Sequence, residues 1–168
     1  CEIVSELFEK FQCADILLAD TVKEKERLWK LRRSIGEAVK ANSIYKEQDT
    51  VVPRAELPKL LSGVKSIGQD YGFKSVCYGH AGDGNLHINI IKADMSDDEW
   101  NNHLSSAIRK IFELTKKLGG TISGEHGIGF VQKEYTDIVF SDKSINLQKG
   151  IKKLFDPNNI LNPGKMFN

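Results

Sequence analysis

The sequence predicts an α+β fold: an antiparallel sheet with helices packed on one face, followed by a C-terminal helical segment and a tail. Three observations carry that expectation. Apolar residues recur at helical spacing in several separated stretches, the mark of amphipathic helices. Short apolar runs bounded by Gly, Pro or charged residues lie between them and read as strands. The order is strands, helix, strands, helix, with connections long enough to cross a layer.

Ile3, Val4, Leu7, Phe8 and Phe11 fall at helical intervals, so a helix is expected over Glu2 to Phe11. Ala14-Asp15-Ile16-Leu17-Leu18-Ala19 is short, apolar and polar-bounded, and predicts a strand. A longer helix follows from Val22 to Ala41, with its stripe at Leu28, Leu31, Ile35 and Val39. At about 100° per residue, Arg32 falls near the middle of that stripe, whereas Arg33 turns towards solvent. A cation on a burying face needs a snorkelling stem, an internal ion pair or a bound anion. Thr50-Val51-Val52 predicts a strand that stops at Pro53. Leu57, Leu60, Leu61, Val64, Ile67 and Tyr71 give an amphipathic helix between Arg54 and Tyr71, ended by Gly72. Ser96-Asp97-Asp98-Glu99 is a capping box. It opens a helix whose buried side is Trp100, Leu104, Ala107, Ile108, Ile111, Phe112 and Leu118, closed by Gly119-Gly120. His103 reads as an ordinary helical residue. A last helix over Ile145 to Phe155 stops at Asp156-Pro157, and Asn158 to Lys165 forms an extended or turning tail.

Two stretches carry chemistry. Ser75-Val76-Cys77-Tyr78 reads as a strand, breaks at Gly79, Gly82 and Gly84, and resumes from Leu86 to Ile91. On one flat strand His80 and His87 would point to opposite faces, and the glycine bend removes that restriction. His87 and Asn89 share a face, while Leu86, Ile88 and Ile90 pack the other. Two imidazoles and an amide on one side suggest a metal or an anionic ligand; a plain tight turn is the bland alternative. A strand follows where a dinucleotide fingerprint needs a helix, so that motif is rejected. In the second stretch, Thr121-Ile122-Ser123 is a short strand feeding Gly124-Glu125-His126-Gly127-Ile128-Gly129. Adjacent residues on an extended backbone point apart, so Glu125 and His126 are expected to do different jobs.

Composition fits an ordinary globular chain: 168 residues, 40% apolar, 28% charged, formal net charge +1. A basic stripe is missing, which argues against nucleic acid as a partner. The apolar runs are too short to span a membrane, and no signal peptide precedes the first residue. Cys1, Cys13 and Cys77 have no C-x-x-C spacing, so they read as packing residues in a reduced, cytoplasmic-type compartment. Peripheral membrane association of the whole protein stays open. The chain opens at Cys1 without Met, as an excised piece of a longer protein would.

Three motifs together resemble the C-terminal part of FAD-linked 2-hydroxyacid dehydrogenases of the vanillyl-alcohol-oxidase-like superfamily, the D-lactate, glycolate and D-2-hydroxyglutarate dehydrogenase type. They run from Gly79 to His87, from Gly120 to Gly129 and from Phe155 to Lys165. Leu28-Trp29-Lys30-Leu31-Arg32 and Asp49-Thr50-Val51-Val52-Pro53-Arg54 agree as well. The resemblance covers essentially the whole chain. It implies a ferredoxin-like substrate cap over residues 1–120, and a segment 121–168 that completes the active site and contacts a flavin domain. It makes His80, His87 and Glu125 ligands of a divalent metal, with zinc the first expectation and manganese, cobalt or iron also suited. His126 becomes the base that takes the hydroxyl proton, and hydride passes to FAD. Arg32 is similar to the arginine that grips the substrate carboxylate, and Asn89 to a substrate-contacting amide. Lys46 stands for the substrate lysine, with one extra residue before Asp49, and Asn162 for the tail residue near the flavin. Implied partners are a small D-2-hydroxyacid, the protein's own N-terminal FAD-binding domain, and an electron acceptor: an electron-transfer flavoprotein, a quinone or an iron–sulfur subunit. The family's glycine-rich flavin loops do not precede Cys1, so the excised chain is expected to fold without FAD and not to turn over. Competing expectations are a stand-alone metal- or carboxylate-binding module, and a metal-free relative of the alkyl-glycerone-phosphate synthase type.

Overall fold

The computed structural model describes residues 2–14 and 16–167, the side chain of Asn42 excepted. The chain divides into two compact units, Cys1–Ala41 and Asn42–Asn168.

The first unit is helical. Helix α1 spans Glu2–Lys10 and α2 spans Val22–Asn42. A capping box at Thr21 starts α2: the Glu24 carboxylate accepts from the Thr21 N–H at 3.0 Å, and the Glu24 N–H donates to Thr21 Oγ1 at 3.2 Å. The strand expected over 14–19 does not form among the described residues; Asp15 lies outside them. A strand needs an edge to pair with, and residues 16–20 make no ladder, leaving Leu17 and Leu18 about three-quarters exposed (75% and 76%). The α2 stripe is corrected too. Leu28 and Val39 are half-buried, but Leu31 and Ile35 between them are exposed, and so is Arg32, so the stripe is buried only in part and Arg32 is not on its buried part.

The second unit is the α+β body. Its strands are β1 (Tyr45–Val51), β2 (Lys74–His80), β3 (Asn85–Ile91) and β4 (Thr121–Ile122). They form one antiparallel sheet in the order β2-β3-β1-β4. Strand β1 starts five residues earlier than the Thr50 at which β-branched residues begin, because pairing with β3 from Tyr45↔Ile91 to Val51↔Asn85 recruits its polar half. Helix α3 (Leu57–Tyr71), entered through a 3₁₀ turn at Arg54–Glu56, ends at Gly72 in the left-handed conformation, as expected. The Ser96/Glu99 capping box also forms, with Ser96 Oγ donating to Glu99 Oε2 at 2.7 Å. It opens a π-helical turn, Glu99–His103, that runs into α4 (Leu104–Lys117). A short α5 (Thr136–Val139) precedes α6 (Asp142–Phe155), which is capped by Ser141 and starts three residues before the expected Ile145.

Helices α3 and α4 cover one face of the sheet. The core there joins Leu60 and Val64 of α3, Ile88 and Ile90 of β3, and Ile111 and Phe112 of α4, all fully buried. Strand alternation then fixes what the other face carries. Ile88 and Ile90 point to the helices, so His87 and Asn89 point away from them. Directly opposite residues share a face, and the register sets Asp49 and Tyr78 beside His87, with Glu47 and Val76 beside Asn89.

The C-terminal tail is pinned rather than frayed. The Asp156 carboxylate accepts the N–H groups of Ile160 and Leu161 at 2.9 and 3.0 Å and pairs with Lys152. Further on, the Met166 N–H donates to the Gly129 carbonyl at 2.8 Å. The Lys152 ammonium, helped by those two N–H groups against the opposing effect of burial, holds the Asp156 carboxyl below the usual aspartate range. A carboxylate with a depressed pKa stabilises above its unfolded value, about 3.9, and that contribution fades as pH falls through the folded one. The Ile160 and Leu161 amide resonances are therefore expected to shift together only below about pH 4, and in Asp156→Asn to show the low-pH positions already at neutral pH.

Candidate metal centre

The hairpin explains how His80 and His87 meet. Tyr78 pairs with His87 and His80 with Asn85, so both imidazoles rise from the same face of adjacent strands, their ring centroids 6.1 Å apart. Fold-back of two strands brings them together, with the glycine corner serving as the turn. Gly84 is required there: its φ is +75°, and a Cβ would lie 1.9 Å from the Val52 carbonyl oxygen.

Glu125 and His126 arrive from the loop after β4, and Asp49 shapes that loop. Its side chain is buried and takes four donors: Asn85 Nδ2 at 2.7 Å, Ser123 Oγ at 3.0 Å, and the N–H groups of Glu125 and His126 at 2.9 and 2.8 Å. Burial pushes the Asp49 carboxyl up, but the His126 and Glu125 N–H groups, with Asn85 and Ser123, outweigh it and keep its pKa below the ordinary value. The loop is not extended. Ser123 has φ +59°, a strained value for a residue with a side chain, and its N–H donates to the Asp49 carbonyl. Gly124 must be glycine, because a Cβ would sit 2.1 Å from Asn85 Nδ2.

The bent loop overturns the expectation that Glu125 and His126 point apart. Glu125 Oε1 lies 2.9 Å from His87 Nε2, 3.7 Å from His80 Nε2 and 3.8 Å from His126 Nε2. The His87 and His126 rings stack at 4.8 Å with planes 27° apart. On the other side of both rings, Glu47 Oε1 is 3.1 Å from His87 Nδ1 and 3.8 Å from His126 Nδ1. His87 is the buried centre, its side chain 6% exposed, whereas the side chains of Glu125 and His126 are about half exposed (48% and 49%).

Two ligand groupings therefore meet at His87: His80, His87 and Glu125, and Glu47, His87 and His126, each with its donor atoms within 4.8 Å of one another. The first fits a divalent ion. Two imidazole nitrogens and a carboxylate are suitable donors, and their separations from Glu125 bracket the roughly 3.4 Å expected for two ligands bonded at about 2.0–2.2 Å to one tetrahedral ion.

The remaining predicted residues are placed as follows. Asn89 is fully buried on the His87 face, and neither polar atom of its amide has a hydrogen-bond partner among the described residues. Lys46 is on the opposite face, beside Ile90. Its ammonium donates to the Trp100 carbonyl at 2.7 Å and lies over the Trp100 ring, and burial lowers its pKa. The extra residue before Asp49 turns Lys46 away from the cluster and brings Glu47 to it. Arg32 is exposed in the first unit, and Asn162 is exposed in the tail with φ +48°. The sequence reading missed Glu47 and Asp49 as members of the cluster. Their signal was the i, i+2 spacing of two acids on a strand, legible once β1 is extended back to Tyr45.

Comparison with known proteins agrees with this picture. Residues 1–166 match the family described as FAD linked oxidases, C-terminal domain. The chain is 36% identical over 166 residues to a D-lactate dehydrogenase of Anaerostipes hadrus, covering 98% of this chain and 35% of that protein. It is 38% identical over 156 residues to a D-2-hydroxyglutarate dehydrogenase of Stutzerimonas stutzeri, covering 91% and 33%. With the glycolate oxidase subunit GlcD of Bacillus subtilis it shares 36% identity over 169 residues, covering 99% and 35%. The chain thus spans about a third of the length of these curated relatives. The hairpin histidines and the Asp49-held loop belong to a chain matched almost end to end, and that chain is a member of the FAD linked oxidase C-terminal domain family.

Proposed function

We propose that this chain is the substrate- and metal-binding part of a flavin-dependent dehydrogenase that oxidises a D-2-hydroxyacid to a 2-oxoacid. One observation carries the reading: Glu125 Oε1 stands within 3.7 Å of both His80 Nε2 and His87 Nε2, a three-donor set on one face of the sheet. Three protein ligands leave a coordination position for substrate. The charge of the cluster supports a cation. Glu47, Asp49 and Glu125 put three carboxylates around the imidazoles, and an anionic hydroxyacid would be repelled there without a positive centre.

His80, His87 and Glu125 would hold a divalent ion, zinc first among the candidates, which when bound would supply a Lewis acid for the substrate, and FAD would supply the hydride acceptor. His126, half exposed and stacked on His87, takes the hydroxyl proton at Nε2. Asn89 offers the amide left unmatched inside the protein. Arg32 is carried as the carboxylate grip on the family resemblance alone, because a guanidinium fork suits that group. Asn162 is carried in the same way as a flavin contact.

In this proposal residues 1–120 are the cap portion and 121–168 complete the site and meet the flavin half. Glu125 and His126 both lie in the later segment, which also leaves Leu147, Ile151, Leu154, Phe155, Ile160 and Leu161 exposed. Flavin bleaching in the full-length protein tests the reading. We expect a D-2-hydroxyacid to bleach the bound flavin, a chelator to stop it, and added Zn²⁺, Mn²⁺ or Co²⁺ to restore it. Bleaching that survives metal removal, or none across a panel of D-2-hydroxyacids, would overturn it.

A further inference from the structure

We propose that Glu47 is a positioning residue for His87 and His126, its carboxylate turned towards Nδ1 of both rings so that, with a cation at the site, it faces the Nδ1–H of His87 and leaves each Nε2 for the cation or the substrate proton. The inference rests on the metal-site reading for its consequence, but on the geometry of the cluster for its basis.

The two rings are stacked and nearly parallel. Both turn Nδ1 to Glu47 Oε1, at 3.1 and 3.8 Å, and both turn Nε2 to Glu125 Oε1, at 2.9 and 3.8 Å. Two carboxylates thus bracket a pair of imidazoles in the same orientation. Among the described residues, buried His87 Nδ1 has no hydrogen-bond partner, and a buried N–H left unpaired is costly. Asp49 is the other carboxylate in range, 3.9 Å from Nδ1, but its oxygens already serve Asn85, Ser123, Glu125 and His126. Glu47 is nearer, at 3.1 Å.

A neutral imidazole carries one N–H, so an acceptor at Nδ1 decides which nitrogen can bind a cation or take a proton. At His87 this directs Nε2 to the metal grouping with His80 and Glu125. At His126 it leaves Nε2 free as the proton acceptor. A carboxylate behind a metal-bound histidine also raises its basicity, and losing such a partner typically costs roughly 10–100-fold in metal affinity. Glu47 reaches this position because of the strand register: Glu47↔Asn89 and Asp49↔His87 set both acids on the histidine face, while Lys46 goes to the other.

The test uses the full-length protein with two readouts. NMR on Zn²⁺-loaded, ¹⁵N-histidine-labelled protein reports the Nδ1–H of His87. Competition with a chromophoric chelator reports Zn²⁺ affinity. We expect that N–H to be hydrogen-bonded in the native protein, a downfield ¹H signal that moves upfield in Glu47→Gln and Glu47→Ala, and Zn²⁺ affinity lowered about 10–100-fold in both variants. An unchanged signal in Glu47→Gln, or Glu47→Gln binding Zn²⁺ within twofold of native, would overturn the inference. Should Glu47→Ala lose its fold, judged by circular dichroism, the near-isosteric Glu47→Gln still decides. Native protein that binds no Zn²⁺ would sink the metal reading, whereas native binding matched by Glu47→Gln would sink the Glu47 inference alone.

Discussion

Replacing His87 by alanine is expected to abolish divalent-metal binding by the full-length protein and, on the proposed function, substrate-driven flavin reduction with it. His87 is the one residue common to both ligand groupings, and its buried side chain lies 2.9 Å from Glu125 Oε1 through Nε2. Removing it leaves His80 and Glu125, two half-exposed groups that keep the entropy of flexible surface side chains and cannot enclose an ion. The loss of metal affinity should exceed the roughly 10–100-fold that removal of an outer hydrogen-bond partner causes. Equilibrium dialysis with metal analysis measures it. His103→Ala is the internal control, because His103 is exposed on the π-helical turn and pairs with Asp98 instead; its metal content should equal native.

Asp49→Ala is expected to cause the largest loss of stability among the cluster variants. The buried Asp49 carboxylate is the acceptor for two side chains and two backbone N–H groups that set the path of residues 123–126. Alanine leaves those donors unsatisfied and keeps none of the compensation for the strained φ at Ser123. At about 1–3 kcal/mol for each buried group left unpaired, with the more exposed loop amides recovering water, a loss of about 2–4 kcal/mol follows. For a domain of this size that corresponds to roughly 5–15 °C in thermal midpoint. Metal affinity should fall as well, because Glu125 and His126 lose their anchor. A midpoint within about 2 °C of native, equivalent to less than about 1 kcal/mol, would show that the loop holds itself.

What was legible in the sequence was mostly local. The Ser96/Glu99 box, the Gly72 stop and the apolar stripes of α3 and α4 report neighbours within one or two turns, and each formed as expected, except that Leu61 and Tyr71 of α3 stay exposed. The α+β class followed from the order of those elements. The alternation that sends Ile88 and Ile90 to the helices and His87 and Asn89 to the other face was also readable from β3 alone.

The failures share a cause, since each depended on a partner elsewhere in the chain. Residues 45–49 look too polar for a strand, and only pairing with β3 makes Tyr45–Val51 one element. Without that register, the parity separating Lys46 from Glu47 could not be read. Glu125 and His126 were judged on an extended backbone, whereas Asp49, over seventy residues earlier, bends the loop so that both reach His87. The apolar run at 16–19 has strand composition but no pairing edge among the described residues, and Leu31, Arg32 and Ile35, at the middle of the expected stripe, stay exposed. Sequence periodicity states what a segment can bury; it does not state what covers it.

His80, His87 and Glu125 are proposed to share one metal position. Crystals of the full-length protein grown with zinc, with data collected on both sides of the zinc absorption edge, test this. One anomalous peak is expected about 2.0–2.2 Å from His80 Nε2, His87 Nε2 and a Glu125 carboxylate oxygen. Density for three ordered side chains with no anomalous peak among them, or a peak held by other residues, would contradict it.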